Sequence, residues 1–185
     1  MTTFTYDPSD PTPSVGGATL AQNPGVKDNS VLEQRPDVIT FTTDPLPADI
    51  DVVGIPRVRL FHDTDNPYVD LMVRICDVDA QGRSFNTAER YLRLDPAVSS
   101  GELELTLRPL AHRFAAGHRV RLQISGGAFP RFMRNLGTAD RPGEGTVLVP
   151  SHRTVRHDRL HRSSLTLPVS DSLGSAGRDS ARVDP

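Results

Sequence analysis

The chain has 185 residues, 36% of them hydrophobic and 5% aromatic, with no Trp. That suffices for one core and falls short of two full domains. Its 21 basic and 23 acidic residues leave a net charge of −2, too little positive field for a nucleic-acid or membrane-surface partner.

In chain order, residues 1–36 are rich in Pro, Gly, Asn and Asp, and read as an extended N-terminal arm. A structureless stretch of that length inside a compact domain would be unusual, so an arm lying across a neighbouring surface is expected. Its first residues lack a basic segment and an apolar run, so no signal peptide is visible and a cytoplasmic location is expected. No apolar run approaches the ~20 residues that span a bilayer.

From residue 37 the period is two almost throughout. Residues 38–42, 52–53 and 58–61 form short β-rich runs. Val69, Leu71, Val73 and Ile75 share one face of a strand over 68–78 that also holds Cys76, the only cysteine. Cys76 therefore has no intrachain disulfide partner and reads as a small core residue. A turn at Asp79-Ala80-Gln81-Gly82 leads to a strand over 87–94. Leu103, Leu105 and Leu107 alternate with Glu102, Glu104 and Thr106. Pro109, the Leu110/Phe114 pair at i, i+4, and Gly117 predict a short helix over 109–116. Val120, Leu122 and Ile124 alternate with Arg119, Arg121 and Gln123 in a strand over 118–125. Weaker runs at 146–149 and 154–157 precede a closing run at Leu165, Leu167 and Val169. Residues 171–185 are small, polar and aperiodic, and read as a flexible tail.

About nine or ten short, one-sided strands predict two sheets stacked face to face over residues 37–170. The expected fold is an all-β sandwich, a jelly roll of the galactose-binding-like kind.

Self-sufficient catalytic signatures are missing. The chain has no G-x-S-x-G elbow, P-loop, G-x-G-x-x-G or H-E-x-x-H. His152, His157 and His161 lie among four arginines that would repel a divalent metal, and read as solvated loop residues. Asp77, Asp79, Gln81 and Gly82 mimic half a calcium loop, but Ala88 stands where the bidentate carboxylate belongs, and a hairpin turn fits better. Ser163, His157 and Asp158 contain the types for a triad without spacing that supports one. No cofactor, metal or catalytic residue is assigned. The loop over 125–133 stands out instead. Gly126 and Gly127 allow positive φ and close backbone approach, Phe129 and Phe132 offer apolar anchors, and Arg131 and Arg134 offer planar forks. It reads either as a docking loop or as a cap on the sandwich, with the rings folded in and Arg131 paired internally.

These residues resemble the C-terminal non-catalytic domain of the CocE/NonD hydrolases, which include X-Pro dipeptidyl-peptidases, cocaine esterase and α-amino-acid ester hydrolases. The likeness runs through Tyr6-Asp7-Pro8 and Pro13-Ser14-Val15-Gly16-Gly17, then Arg35-Pro36-Asp37-Val38 and Asp44-Pro45-Leu46. It continues through Val69-Asp70-Leu71, Cys76-Asp77-Val78-Asp79 and Gly82-Arg83-Ser84. It closes with Ala111-His112-Arg113-Phe114, Gly117-His118-Arg119-Val120-Arg121-Leu122, residues 125–135, His157-Asp158 and residues 165–169. The resemblance implies a jelly roll packed on an α/β-hydrolase domain that carries the whole Ser-Asp-His triad. No catalytic residue therefore transfers to this chain, and it is expected to be inactive alone. Gly16, Gly17, Phe129, Arg131 and Phe132 are the candidates for a substrate-pocket or domain-interface role, with residues 15–20 nearest the pocket. A homo-oligomer is a further possible assembly. The alternative function is a free-standing jelly-roll module binding carbohydrate or protein, which the missing Trp and the three Tyr disfavour.

Overall fold

Alternating apolar residues give the chain eleven short strands in the computed structural model, which describes residues 1–20, 23–141 and 143–170. In order they are β1 (Thr2–Tyr6), β2 (Val38–Thr42), β3 (Ile50–Gly54), β4 (Arg57–Thr64), β5 (Asp70–Val78), β6 (Ser84–Arg93), β7 (Gly101–Thr106), β8 (Leu110–Phe114), β9 (Arg119–Ser125), β10 (Ser151–Arg156) and β11 (Ser164–Thr166). Every strand pair is antiparallel. One sheet runs β1-β10-β4, with β7 and β11 also on β4. The other runs β2-β9-β5-β6, and β3 and β8 form a separate pair. Setting β3, β8 and β11 aside, β1 pairs with β10, β2 with β9, β4 with β7 and β5 with β6. That nesting of early with late strands across two sheets is the jelly-roll winding.

The core lies between the sheets. Phe4, Val58, Leu60, Leu105 and Val155 face Ile39, Leu71, Val73, Ile75, Val120, Leu122 and Ile124, while Val52, Leu110 and Phe114 from the β3–β8 pair join the same cluster. A sandwich of this kind buries one face of each strand. β5 departs from that rule, because all nine of its residues are buried. Its second face is covered by the N-terminal arm and by the stretch that follows β9.

Several expectations need correction. Residues 110–114 form β8 and not a helix, since an i, i+4 pair such as Leu110 and Phe114 satisfies a period of two as well as one of 3.6. Pairing with β3 decides between them. Residues 2–6 of the expected arm are a strand, with Phe4 and Tyr6 turned inward. Residues 146–149 are not a strand, although the Val149 N–H bonds the Leu136 carbonyl at 2.8 Å. The tail expected over 171–185 lies outside the described residues.

β6 starts three residues earlier than its apolar run suggests. A bulge at Thr87 shifts the register between Ile75 and Cys76. Ser84 and Asn86 before it, and Glu89 and Tyr91 after it, then share the sheet's outer face, although their numbers change parity.

Candidate functional site

The outer face of β5 and β6 carries Asp70, Met72, Arg74 and Cys76 beside Tyr91, Glu89, Asn86 and Ser84. Charged and amide side chains buried in a sheet require partners. The arm supplies most of them. The Asn29 amide nitrogen donates to the Lys27 carbonyl at 2.8 Å and to Asn86 Oδ1 at 3.2 Å, while Asn29 Oδ1 accepts from Arg74 Nη1 at 2.5 Å. Asn86 Oδ1 also accepts from the Lys27 N–H, and its nitrogen donates to the Gly25 carbonyl. Glu33 accepts from Ser84 Oγ at 2.7 Å and from Arg121 Nη1 at 2.5 Å. Thr12 Oγ1 donates to Asp37 at 2.6 Å, and Arg35 bridges Asp37 and Asp10.

The centre of this contact is Glu89. Its Oε2 accepts from Arg74 Nε and Nη2 at 3.1 and 2.8 Å, and its Oε1 accepts from Arg131 Nη1 at 2.5 Å and from the Ala18 N–H at 3.1 Å. Arg131 Nη2 donates to the Ala18 carbonyl at 3.2 Å. Arg74 and Glu89 are buried, and the Arg131 side chain is 9% exposed. Burial pushes the Glu89 carboxyl up, but the Arg74 and Arg131 guanidiniums and their hydrogen bonds outweigh it and hold it below the usual range. Gly17 pairs with Gly25 through two backbone hydrogen bonds of 2.7 and 2.9 Å. A Cβ at Gly17 would stand 2.2 Å from Arg131 Nη1 and 2.4 Å from Glu89 Oε1; at Gly16, it would stand 2.6 Å from the Gly25 oxygen. Both glycines have positive φ.

Gly17 and Arg131 therefore meet, Gly16 stands beside them against Gly25 and Asn86, and Glu89, which sequence reasoning did not single out, joins Gly17 to Arg131. Two signals marked it in principle: Arg74 interrupts the apolar run of β5, and a buried arginine calls for a carboxylate. The other two candidates sit nearby in different ways. The Phe132 ring stacks on Tyr91 with centroids 3.9 Å apart and planes 2° apart, and the Arg131 guanidinium lies 4.9 Å from the same ring. Tyr91 donates its hydroxyl to Asp70, which also accepts from Arg93 and Asn135. Phe129 pairs with the arm through its backbone, accepting from the Ser14 N–H and donating to the Thr12 carbonyl, while its side chain is 39% exposed. The Phe129–Pro130 peptide is cis. The loop over 125–133 thus caps the sheet at Phe132 and Arg131 and meets the arm at Phe129.

The remaining sequence candidates are engaged elsewhere. Ser163 Oγ donates to the Arg156 carbonyl and accepts from the Phe61 N–H. It fills the gap in the ladder where β10 ends and β11 begins along one edge of β4. His157 Nε2 meets Thr2 Oγ1, and Asp158 bonds residues 160 and 161, so the three do not form a relay. Asp77 accepts from His112 Nε2 and His118 Nδ1, both at 2.9 Å, and Asp79 accepts from the Gln81 and Arg83 N–H groups of the turn. Among the described residues, no three His, Cys, Asp or Glu side chains gather where they could hold a metal ion. Also among these residues, no helix is long and apolar enough to cross a membrane.

Comparison with known proteins agrees with this architecture. Residues 3–166 match the X-Pro dipeptidyl-peptidase C-terminal non-catalytic domain. The chain is 32% identical over 152 residues to a cocaine esterase from Rhodococcus sp. (strain MB1 Bresler), covering 74% of this chain and 26% of that enzyme. Among solved structures it superposes on an α-amino acid ester hydrolase with a TM-score of 0.77 at 23% identity, covering 91% of this chain and 32% of that one. An aminopeptidase from the marine sediment archaeon Thaumarchaeota archaeon gives 0.76 at 23% identity, with 91% and 33% covered. These two likenesses speak for the fold. The chain spans about a quarter of the length of the esterase. By a family match over most of its length, this chain belongs to the C-terminal non-catalytic domains of the X-Pro dipeptidyl-peptidase family.

Proposed function

We propose that the chain serves as the C-terminal sandwich of a CocE/NonD-type serine hydrolase, an acyl esterase or X-Pro dipeptidyl-peptidase. It packs on an α/β-hydrolase domain, and its arm over residues 15–20 shapes one side of the active-site cleft. One observation carries the reading: the family match takes in residues 3–166, while the likeness to the esterase covers 26% of that enzyme. The G-x-S-x-G nucleophile motif is not in these 185 residues, and Ser163, His157 and Asp158 are occupied structurally. Hydrolysis by a serine triad needs nucleophile, base and orienting acid within hydrogen-bond reach of one another. The catalytic groups then belong to the partner domain, and this chain contributes shape.

The arm suits that task because it rests on a rigid sheet while its outward side is unused by the core. Leu20 and Val26 are fully or largely exposed. A carbohydrate module would present aromatic platforms, yet among the described residues Phe129 is the one aromatic in the set of exposed large apolar side chains.

Nitrophenyl-ester hydrolysis tests the reading. The isolated chain is expected to show no turnover above background. Replacing the matching region of the Rhodococcus esterase with residues 1–170 is expected to retain hydrolysis with an altered KM. In that chimera, Gly17→Val is expected to change KM or kcat, because the side chain has no room beside Arg131 and Glu89. Turnover by the isolated chain that survives repurification would overturn the proposal, and unchanged kinetics in Gly17→Val would remove the arm from the cleft.

A further inference from the structure

Resting on the reading that the arm borders the partner's cleft, we infer that Glu89 is the positioning residue of that arm: a buried Arg74–Glu89–Arg131 clasp grips the Ala18 peptide and sets where residues 15–20 stand.

The grip is specific to the backbone of one residue. The Ala18 N–H is held by Glu89 Oε1 and its carbonyl by Arg131 Nη2. Gly17, one residue earlier, has both backbone groups tied to Gly25. Four successive polar groups of the arm are thereby fixed, although residues 15–20 lie outside the named strands. The clasp draws on three separate elements: Arg74 from β5, Glu89 from β6 and Arg131 from the loop after β9. Within the sandwich itself this is an expensive way to cover a sheet. A buried ion triad gives little net stability over packed apolar side chains, and its best-attested use is to fix a unique register. The register fixed here is that of the arm against the sheet. The lack of space for any side chain at Gly17 makes the same point: Arg131 and Glu89 close on the backbone directly. The clasp acts through the arm and touches no reacting atom.

Amide hydrogen exchange on the 185-residue chain reads the clasp directly. Glu89→Gln keeps an acceptor for Ala18 but leaves two buried guanidiniums without their counter-charge, so it can also weaken the fold. Arg131→Met is the cleaner variant, because the Arg74–Glu89 pair stays balanced. Exchange at Gly17 and Ala18 is expected to speed up about tenfold or more in both variants, with the β5 amides unchanged in Arg131→Met. Arg131→Lys is expected to restore part of the protection. In the hydrolase completed by the catalytic domain, Arg131→Met and Glu89→Gln are expected to raise KM several-fold with kcat altered less than about twofold, a split that general loss of folded protein does not produce. Unchanged exchange at Ala18 in both variants would overturn the clasp and leave the proposed role of the domain standing. Faster exchange with KM unaltered would overturn the positioning role and count against the arm's place at the cleft.

Discussion

Gly126 and Gly127 show how one residue type serves two purposes. Their sequence suggests a turn needing positive φ, yet neither has it. They are glycine because Tyr6 of β1 lies across them. A Cβ at Gly126 would stand 2.6 Å from Cβ, Cγ and Cδ2 of Tyr6, atoms near the backbone that cannot swing aside. Gly126→Ala is therefore expected to cost about 1–3 kcal/mol by overpacking, read from urea unfolding. In a Tyr6→Gly background the same substitution should cost less than half as much, since the obstructing Cβ, Cγ and Cδ2 are all gone. Equal costs in both backgrounds would show that the backbone, and not Tyr6, demands glycine. Tyr6 was legible as an aromatic in an arm; its contact, more than 100 residues away, was not.

At the scale of elements, alternation identified most strands, because a half-buried strand writes its period into its own residues. β9 is the clearest instance: Val120, Leu122 and Ile124 are buried as expected. What alternation misses is a second layer. Arg74 stands on the face of β5 opposite Leu71, Val73 and Ile75, where alternation predicts solvent, yet it is buried beneath Asn29 of the arm, and Cys76, read as a core residue, lies buried beside it where Gly25 and Lys27 of the arm tie to its partner Asn86. The Cys76 thiol is pushed up to about 12, chiefly by burial, and so is inert while the arm stays down. Asn29 is the arm's buried tie, bonded to Arg74, Lys27 and Asn86. In Asn29→Ala, labelling of Cys76 by a chromogenic disulfide reagent at pH 8 is expected to accelerate about tenfold or more, with the urea midpoint shifted far less than that opening implies. Labelling that tracks only global unfolding would mean that the arm and sheet open as one unit.

The sandwich is wound so that its first strand meets its tenth: Thr2 pairs with Val155, and β4 accepts β10, β11 and β7. No local pattern specifies such partners, which is why strand positions and the two-sheet stack were readable while the order of the strands was not. The resulting interior includes His62 of β4, fully buried. Its Nδ1 lies 2.7 Å from the Ser99 carbonyl, which can only accept, so Nδ1 carries the proton of a neutral ring. Burial, aided by the Arg153 charge and opposed by the Ser99 bond, lowers its pKa from 6.5 to about 4. The unfolded chain thus takes up a proton at pH 5 that the native sandwich refuses. His62 contributes full stability above pH 6.5, and that contribution is lost as pH falls toward 4. Between pH 7 and pH 5 the loss is about 2 kcal/mol for this one group. Urea unfolding at the two pH values should show a drop of that order in the native chain and a clearly smaller one in His62→Gln, whose amide can still donate but does not titrate. The same drop in both proteins would assign the acid sensitivity to other groups and place the His62 ring in contact with solvent.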